Sequence, residues 1–398
     1  MMLEVPAGAS EKLEIPFDAK SLDALMDEAG IDVLIANSKH AVQYLLGGHR
    51  SLFFQYMDAT GLSRYLPLVI YPKGAKEKST YIGHRLEQHQ TEVEPFWTPE
   101  VQTDSAGSID AMQKAIDHVR RTGVEHKRIG IEFAFLPLDA ANALRQAFPN
   151  CVMKDAIFVL ERLRARKSPA ELNVLRLASE SVVEAMQAVI AKHGAGTTKR
   201  ELVEALRREE TNRGLVFDYC LITMGTSLNR APSQQAWQKG DILSLDSGAN
   251  YQGYIGDLCR MAILGEPDAQ LDELLHEIET IQRAAMKPIK PGAMGASIYE
   301  AAEPLVRQSP HHNHMEFLAH GMGLVSHEAP RLTASGPVPY DAYDADRPLE
   351  EGMVISVETT LKHPRRGFIK LEDTVAVTSA GYEMYGESAR GWNRAGAV

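Results

Sequence analysis

Short apolar runs alternate with amphipathic stretches over the first 160 residues of the chain. Runs rich in β-forming residues predict strands, and apolar residues spaced three or four apart predict helices: strands at 31–37, 66–72, 79–84 and 128–133, helices at 108–123 and 139–150. This alternation is typical of an α/β domain. No glycine-rich phosphate-binding loop follows any of these strands, so the pattern indicates no nucleotide site there.

A basic and polar segment, residues 160–171, separates this region from the rest of the chain. It contains a strong helix start, with Ser168 as N-cap, Pro169 at the first helical position and Glu171 closing a capping box. A chain of 398 residues exceeds one typical core. We therefore predict an α/β domain over residues 1–160 and a second domain over residues 161–398.

The second region repeats one order of elements. Each half reads as two amphipathic helices followed by a β-hairpin: helices from Ser168 and Thr198 before a hairpin at 243–260, and helices at about 268–286 and 295–308 before a hairpin at 351–378. An approximate duplication of this length predicts an α+β domain with pseudo-two-fold symmetry. Its two halves would close around one site between them.

Each predicted hairpin carries two carboxylates. A turn within residues 250–253 would place Asp246 directly opposite Asp257, and a turn in the HPRRG segment would place Glu358 opposite Glu372. Opposed residues hold their β-carbons about 4.5–5.5 Å apart, and like charges there destabilise the pair unless a cation neutralises them. The first pair alone could belong to a solvated hairpin, whereas two such hairpins favour a cation site.

A glycine-rich segment, residues 317–332, carries His320 and His327. Gly321 and Gly323 disfavour a helix and indicate a strand or tight loop where main chain approaches something closely. Four carboxylates and an imidazole suit Mn²⁺, Co²⁺, Fe²⁺ or Zn²⁺, with enough ligands for two ions. Two ions about 3.5–4 Å apart can activate a water and polarise a carbonyl, which is chemistry for amide hydrolysis.

With these residues the chain resembles the "pita-bread" metallopeptidase family, which includes methionine aminopeptidase, aminopeptidase P and prolidase. The resemblance rests on the two aspartates 11 residues apart and on the segments HGMGLVSHE and KLEDT, and it spans about residues 160–385. The N-terminal domain resembles the one that precedes the catalytic domain in prolidase, aminopeptidase P and creatinase. The resemblance implies two divalent ions, with Mn²⁺ expected first, held by Asp246, Asp257, His320, Glu358 and Glu372.

The same resemblance implies roles for individual residues. Asp257 and Glu372 would bridge both ions, and each of the other three ligands would hold one. Glu358 would also serve as general base toward the bridging water. His327 would hydrogen-bond the substrate or the tetrahedral intermediate.

Three residues depart from the family pattern, and we expect them to contribute to substrate binding. Ser233 stands where many prolidases and aminopeptidases P have a histidine, and Glu316 stands where histidine or arginine is frequent. Lys370 stands where an arginine commonly precedes the last ligand by two positions. A period of two places Lys370 on the same strand face as Glu372, although a solvated lysine is the alternative interpretation.

These features predict a metal-dependent hydrolase that cleaves Xaa-Pro dipeptide or peptide bonds through a water bridging two metal ions. The altered residues leave open a creatinase-like hydrolase, or a lyase, of a small non-peptide substrate on the same fold. A non-catalytic peptide-binding module is a third alternative. The complete ligand set disfavours that module, because unused buried carboxylates are costly without a cation.

Composition narrows the expected partners and location. A net charge of −11 and a pI near 5.7 argue against nucleic-acid or membrane partners and leave a short peptide or small amide substrate. The N-terminus shows no signal-peptide pattern, and the three cysteines form no close pair. We expect a cytoplasmic protein without disulfides and, by the resemblance, a homodimer.

Overall fold

The computed structural model describes residues 14–50, 65–334 and 341–396, and the chain divides into two compact units, Met1–Leu163 and Arg164–Val398. The first thirteen residues, on which the expected location partly rests, lie outside the described ranges. None of the described helices combines the length and apolar character that crossing a membrane requires.

The N-terminal unit is built on a six-stranded mixed sheet with the order β4-β3-β2-β1-β5-β6. Its strands are β1 Val33–Ala36, β2 Leu68–Pro72, β3 Thr80–His84, β4 Glu100–Ser105, β5 Arg128–Ile131 and β6 Val152–Asp155. Its helices are α1 Ala19–Ala29, α2 Lys39–Leu45, α3 Gln90–Val93, α4 Ser108–Thr122, α5 Leu138–Ala147 and α6 Ile157–Leu163. The predicted α/β class is therefore confirmed.

Both faces of this sheet are covered, which explains the continuous apolar runs of its central strands. Leu34 belongs to a core formed with α1, α2 and α6, whereas its neighbour Val33 belongs to a core formed with α4 and α5. A strand buried on both faces needs apolar residues at every position. The edge strands β4 and β6 escaped the sequence analysis because their exposed, polar positions break that pattern.

The C-terminal unit shows the predicted repeat of two helices and a hairpin. Its elements are α7 Pro169–Lys192, α8 Lys199–Asn212, β7 Val216–Met224, β8 Ile242–Tyr251, β9 Tyr254–Ile263, α9 Ala269–Met286, α10 Ser297–Gln308, β10 Met315–Gly321, β11 Val354–His363, β12 Gly367–Thr378, β13 Gly381–Tyr385 and β14 Asn393–Arg394. The sheet has the order β10-β11-β12-β9-β8-β7, with β13 on β12 and β14 on β9. The two hairpins are thus neighbours in one sheet.

The start of each half follows the predicted capping chemistry. Ser168 accepts a hydrogen bond from the Glu171 main-chain nitrogen at 3.3 Å, and the Glu171 carboxylate accepts one from the Ser168 main-chain nitrogen at 2.7 Å. Thr198 and Glu201 form the same reciprocal pair at the start of α8. Both capping boxes are confirmed.

The register of the first hairpin differs from the prediction. Asp246 pairs with Cys259, and Asp257 pairs with Gly248, so the two aspartates are diagonal and not directly opposite. The two-residue turn is centred between Gln252 and Gly253, which both have positive φ, one position later than predicted. Because the partner shifts by two residues, both carboxylates still share one face.

The second hairpin has the predicted register. Glu358 pairs directly with Glu372, and the turn is centred on Arg365. Here the β-strand pattern extends to the turn on both sides, so the pairing could be derived from the sequence. The direct opposition of these two glutamates is therefore confirmed.

A buried carboxyl group, Glu210 of α8, lies behind the first hairpin. The Ser247 hydroxyl lies 2.9 Å from the Glu210 carboxyl and donates to the Tyr219 carbonyl at 2.8 Å. The hydroxyl has one proton for these two acceptors, so a protonated Glu210 carboxyl would satisfy both contacts by supplying the second hydrogen. Burial raises the pKa of Glu210 to about 8, in agreement with a protonated carboxyl.

Glu210→Gln is expected to stabilise the protein increasingly between pH 5 and pH 8. The folded wild type holds a proton that the unfolded chain has released above its ordinary pKa of 4.5, so its stability falls as pH rises through this window. The variant has no carboxyl group at this position, so it does not show this loss. Its free energy of unfolding relative to that of the wild type should rise by about 1.4 kcal/mol for each pH unit in this window. Urea unfolding at several pH values measures the difference.

Glu209→Gln is the control for this effect. Glu209 pairs with Lys192 and Arg213, and these hydrogen bonds lower its pKa, so its titration ends below the tested window. A pH-independent difference between Glu210→Gln and the wild type would contradict the protonated assignment.

Candidate metal centre

One row of paired residues carries carboxylates from both hairpins onto one face of the sheet. Asp246 pairs with Cys259, Cys259 pairs with Glu372, and Glu372 pairs with Glu358. Directly paired residues point to the same face. Asp257 lies two residues from Cys259 and so joins that face. The sheet itself therefore concentrates four carboxylates.

His320 approaches the same cluster from β10, the strand next to β11. Its ring stacks on that of His327, with centroids 3.8 Å apart and planes 17° apart. The chain turns back directly after His320, and a β-carbon at Gly321 would lie 2.3 Å from the carbonyl carbon of Ala329. The predicted close approach of main chain at this glycine is confirmed.

The donor atoms of the cluster fit a divalent metal ion. Ligand atoms of Asp257, His320 and Glu372, all buried, lie within 4.8 Å of one another. His320 Nε2 and Asp257 Oδ1 are buried without a hydrogen-bond partner within the described ranges. Buried polar atoms without partners are costly, and a cation bound by these oxygens and this nitrogen would satisfy them.

Lys370 projects into the carboxylate cluster. Its Nζ lies 2.7 Å from Asp246 Oδ2, 2.5 Å from Glu358 Oε2 and 2.8 Å from Glu372 Oε2. The predicted common face of Lys370 and Glu372 is confirmed, and the alternative of a solvated lysine is wrong. Burial opposes the charged form, but the three carboxylates outweigh it and raise the pKa of Lys370 well above its usual value.

The pKa values of the four carboxyl groups follow mainly from burial and from the ammonium group of Lys370. Burial raises the pKa of Asp246, Asp257 and Glu358, and the neighbouring Glu372 adds to the effect. Burial acts in the same direction on Glu372, but Lys370 and His320 together outweigh it and lower the pKa of Glu372. A divalent cation would stabilise the charged form of crowded buried carboxylates of this kind.

His327 is electrically neutral at physiological pH. Burial is the main cause that lowers its pKa to about 3, and the adjacent His320 contributes. A neutral imidazole carries one donor and one acceptor nitrogen. Its predicted hydrogen bond to the substrate stays a prediction.

Tyr219 is a site residue that the sequence analysis missed. Its hydroxyl donates to Asp257 Oδ2 at 2.5 Å, and its ring lies over Gly248, where a β-carbon would lie 2.4 Å from the ring. Only a glycine leaves room for this ring. The signal in the sequence was a glycine inside an otherwise regular strand, which often marks a close approach.

A cavity of about 830 Å³ adjoins the cluster. Its lining includes Arg230, Glu316, Phe317, Glu358, Phe368 and Lys370. Two members of the cluster, Glu358 and Lys370, thus face a space large enough for a small substrate.

The structure separates the three predicted substrate-binding residues. Glu316 lies at the cavity as an exposed side chain and pairs with Lys362 at 2.5 Å. Lys370 lies inside the cluster. Ser233 is absent from the cavity lining among the described residues, and its hydroxyl accepts a hydrogen bond from the Gln235 main-chain nitrogen at 3.3 Å.

Arg230, three residues before Ser233, takes the place in the cavity lining that the prediction gave to Ser233. Its carbonyl accepts a hydrogen bond from the Ile222 main-chain nitrogen at 2.9 Å, which fixes the backbone. The guanidinium lies 5.0 Å from the centre of the Phe368 ring and donates to Asp246. The sequence analysis missed it because nothing in the pattern distinguishes it from a loop arginine.

Comparisons with known proteins match both units. The model of Metallopeptidase family M24 matches residues 173–379, and that of the Creatinase/Prolidase N-terminal domain matches residues 19–166. The chain is 27% identical to the Xaa-Pro dipeptidase of Pyrococcus horikoshii over 382 residues, which cover 93% of this chain and 97% of that protein.

Two solved structures show how widely this fold occurs. An Xaa-Pro dipeptidase from Bacillus anthracis superposes with a TM-score of 0.79 at 21% identity, covering 94% of this chain and 98% of the other. The N-terminal domain of the FACT complex subunit SPT16 from chickpea, Cicer arietinum, gives 0.71 at 13% identity, covering 93% and 97%. At these identities the likeness shows the fold alone.

Proposed function

Because the chain belongs to the M24 metallopeptidase family, we propose that it hydrolyses the bond before proline in short Xaa-Pro peptides, with dipeptides preferred. The observation that carries the proposal is the buried group of Asp257, His320 and Glu372 within a carboxylate cluster that opens onto a cavity. The relative named an Xaa-Pro dipeptidase, matched over nearly the full length of both chains, supports the substrate class.

The residues that would hold the metal are the predicted ligands Asp246, Asp257, His320, Glu358 and Glu372. We propose two divalent ions, with Mn²⁺ first and Co²⁺, Zn²⁺ or Fe²⁺ as alternatives. Such ions supply Lewis-acid polarisation and a more acidic water. A homodimer and a cytoplasmic location belong to the same proposal.

The protein side chains supply the remaining chemistry. Glu358 lies both in the cluster and in the cavity wall, where its carboxylate can take a proton from the attacking water. His327 is neutral and can donate a hydrogen bond to the oxygen that becomes negative during attack. Its stacking on His320 fixes the plane of the ring.

Arg230 is the best-placed partner for the terminal carboxylate of a dipeptide. Three carboxylates already surround Lys370, and Glu316 is itself an anion that repels a carboxylate. The Arg230 guanidinium is partly exposed to the cavity and presents a planar set of donors that matches a carboxylate. The roles predicted for Lys370, Glu316 and Ser233 in substrate binding remain part of the proposal.

Arg230→Ala is expected to raise KM for an Xaa-Pro dipeptide by about tenfold, the effect of one charge-assisted hydrogen bond. The same peptide with a C-terminal amide should show little change, because it lacks the carboxylate. Steady-state kinetics of both substrates measure the difference. Arg200→Ala, an exposed arginine of α8, is the control. Equal losses on both peptides would contradict a carboxylate contact.

A substrate panel tests the proposed function. Metal-loaded protein is assayed with Xaa-Pro dipeptides, longer Xaa-Pro peptides, Xaa-Ala dipeptides and creatine. We expect the highest kcat/KM for Xaa-Pro dipeptides. Turnover of creatine without any peptide cleavage would favour the creatinase-like alternative, and metal binding without any turnover would favour a binding module.

A further inference from the structure

The two hairpins of the C-terminal unit meet directly beneath the metal centre. Strands β9 and β12 join at the pair Cys259–Glu372, the one ladder pair between them in the described part of the chain. These same strands carry Asp257 and Glu372, one carboxylate from each half. The spacing of the two carboxylates therefore depends on how firmly this junction is held.

The Arg260 side chain spans the junction on the opposite face of the sheet. It is fully buried, and its Nη1 donates to the main-chain carbonyls of Cys259 and Glu372, both at 2.8 Å. One guanidinium nitrogen thus connects the two residues that form the junction. Its Nη2 donates to Asp373 Oδ1 at 2.7 Å, immediately after the ligand Glu372.

The rest of the guanidinium is held by the C-terminal segment. Nε donates to the Ser388 carbonyl at 2.7 Å, and Nη2 also donates to the Gly386 carbonyl at 2.5 Å. Gly386 is itself packed against α7, where a β-carbon would lie 2.9 Å from the Ser179 carbonyl oxygen. Arg260 therefore cannot shift without moving both hairpins or this packed segment.

A second arginine, Arg390, also binds Asp373 but makes no hydrogen bond to the Cys259–Glu372 pair among the described residues. Arg390 donates to the other oxygen of Asp373 and to Gln282 Oε1 at 2.8 Å, and it pairs with Glu279 at 3.2 Å. Two buried arginines thus face two carboxylates. Because Arg390 shares Asp373 but makes no hydrogen bond to Glu372 within the described ranges, it is a natural control for Arg260.

We propose that Arg260 is a positioning residue of the metal centre, which holds Glu372 at the spacing from Asp257 that metal binding requires. Metal–ligand distances tolerate only about 0.2 Å, so a loosened junction weakens binding before the fold is lost. Residues that support ligands in this way change metal affinity by about 10–100-fold when removed. The inference rests on the proposed metal-dependent function.

The test compares Mn²⁺ affinity of metal-free Arg260→Met, Arg390→Met and wild type by calorimetry, with circular dichroism to verify folding. We expect a Kd about 10–100-fold weaker for Arg260→Met and a near wild-type Kd for Arg390→Met. Arg260→Lys, which keeps the charge and some donors, should recover part of the affinity. Asp373→Asn, which weakens the anchor of Arg260, serves if Arg260→Met does not fold, and it should also weaken binding.

The outcomes separate this inference from the proposed function. Wild-type Mn²⁺ affinity in a folded Arg260→Met, or in Asp373→Asn when that variant replaces it, would overturn the positioning role. Equal losses in Arg260→Met and Arg390→Met would overturn it too, because they would show general destabilisation. A wild type that binds Mn²⁺ but cleaves no Xaa-Pro peptide would overturn only the function. A wild type that binds no Mn²⁺ would overturn both.

Discussion

Glu358→Gln is expected to lower kcat for an Xaa-Pro dipeptide by about 10²–10⁴-fold, the usual contribution of a general base. The amide keeps the shape of the side chain but cannot take a proton from water. It also removes one negative charge beside Lys370, whose Nζ lies 2.5 Å from Glu358 Oε2. Steady-state kinetics on the metal-loaded variant give the effect, and metal analysis shows how much of it reflects lost metal.

Glu316→Gln is the matched control for this substitution. Glu316 lines the same cavity, but its side chain is exposed and pairs with Lys362 outside the carboxylate cluster. An exposed ion pair contributes little, so kcat should stay near that of the wild type, and the proposed role of Glu316 in substrate binding would change KM instead. A Glu358→Gln variant with unchanged kcat and full metal content would contradict the role of Glu358 as base.

Removal of divalent metal is expected to abolish peptide hydrolysis and to lower the melting temperature by about 5–10 °C relative to protein with metal at about 100 times Kd. Without the ion, the buried carboxylates repel one another, and His320 Nε2 has no hydrogen-bond partner among the residues that the structure describes. Returning Mn²⁺ or Co²⁺ should restore both properties. Activity assays and thermal unfolding of chelated and reloaded protein provide the measurement.

The double variant Asp257→Asn with His320→Ala is the control for metal removal. It lacks two of the three residues whose ligand atoms lie within 4.8 Å of one another. Added Mn²⁺ should then no longer raise its melting temperature. Full hydrolysis by metal-free wild type would contradict a metal-dependent mechanism.

The sequence predicted most of the fold where one physical rule acts locally. The capping boxes at Ser168 and Thr198 depend on residues three apart, and the central strands of the N-terminal sheet are apolar because both faces are buried. The edge strands β4 and β6 were missed because partial exposure removes that signal. The order of helix, helix and hairpin in each half was visible for the same local reasons.

The candidate metal centre could likewise be predicted only where it depends on residues close together in the chain. Five candidate ligands could be named from hairpin pattern and family resemblance, and the opposition of Glu358 and Glu372 followed from their turn. The predicted register of Asp246 was wrong because the turn, with positive φ at Gln252 and Gly253, is centred one position later than predicted, which shifts the partner of Asp246 by two residues. The hydrophobic pattern does not record this turn conformation.

By itself the sequence determined the two-domain fold and the residue types that can bind a metal, because these depend on periodicity, capping and spacing along the chain. The metallopeptidase family came from the resemblance of its motifs to those of known sequences. Only the tertiary structure decided what surrounds them. It placed Lys370 among the carboxylates, Tyr219 over Gly248 and Arg260 beneath Glu372. These contacts join strands distant in the chain, and a side chain's partner across a sheet depends on register and strand order.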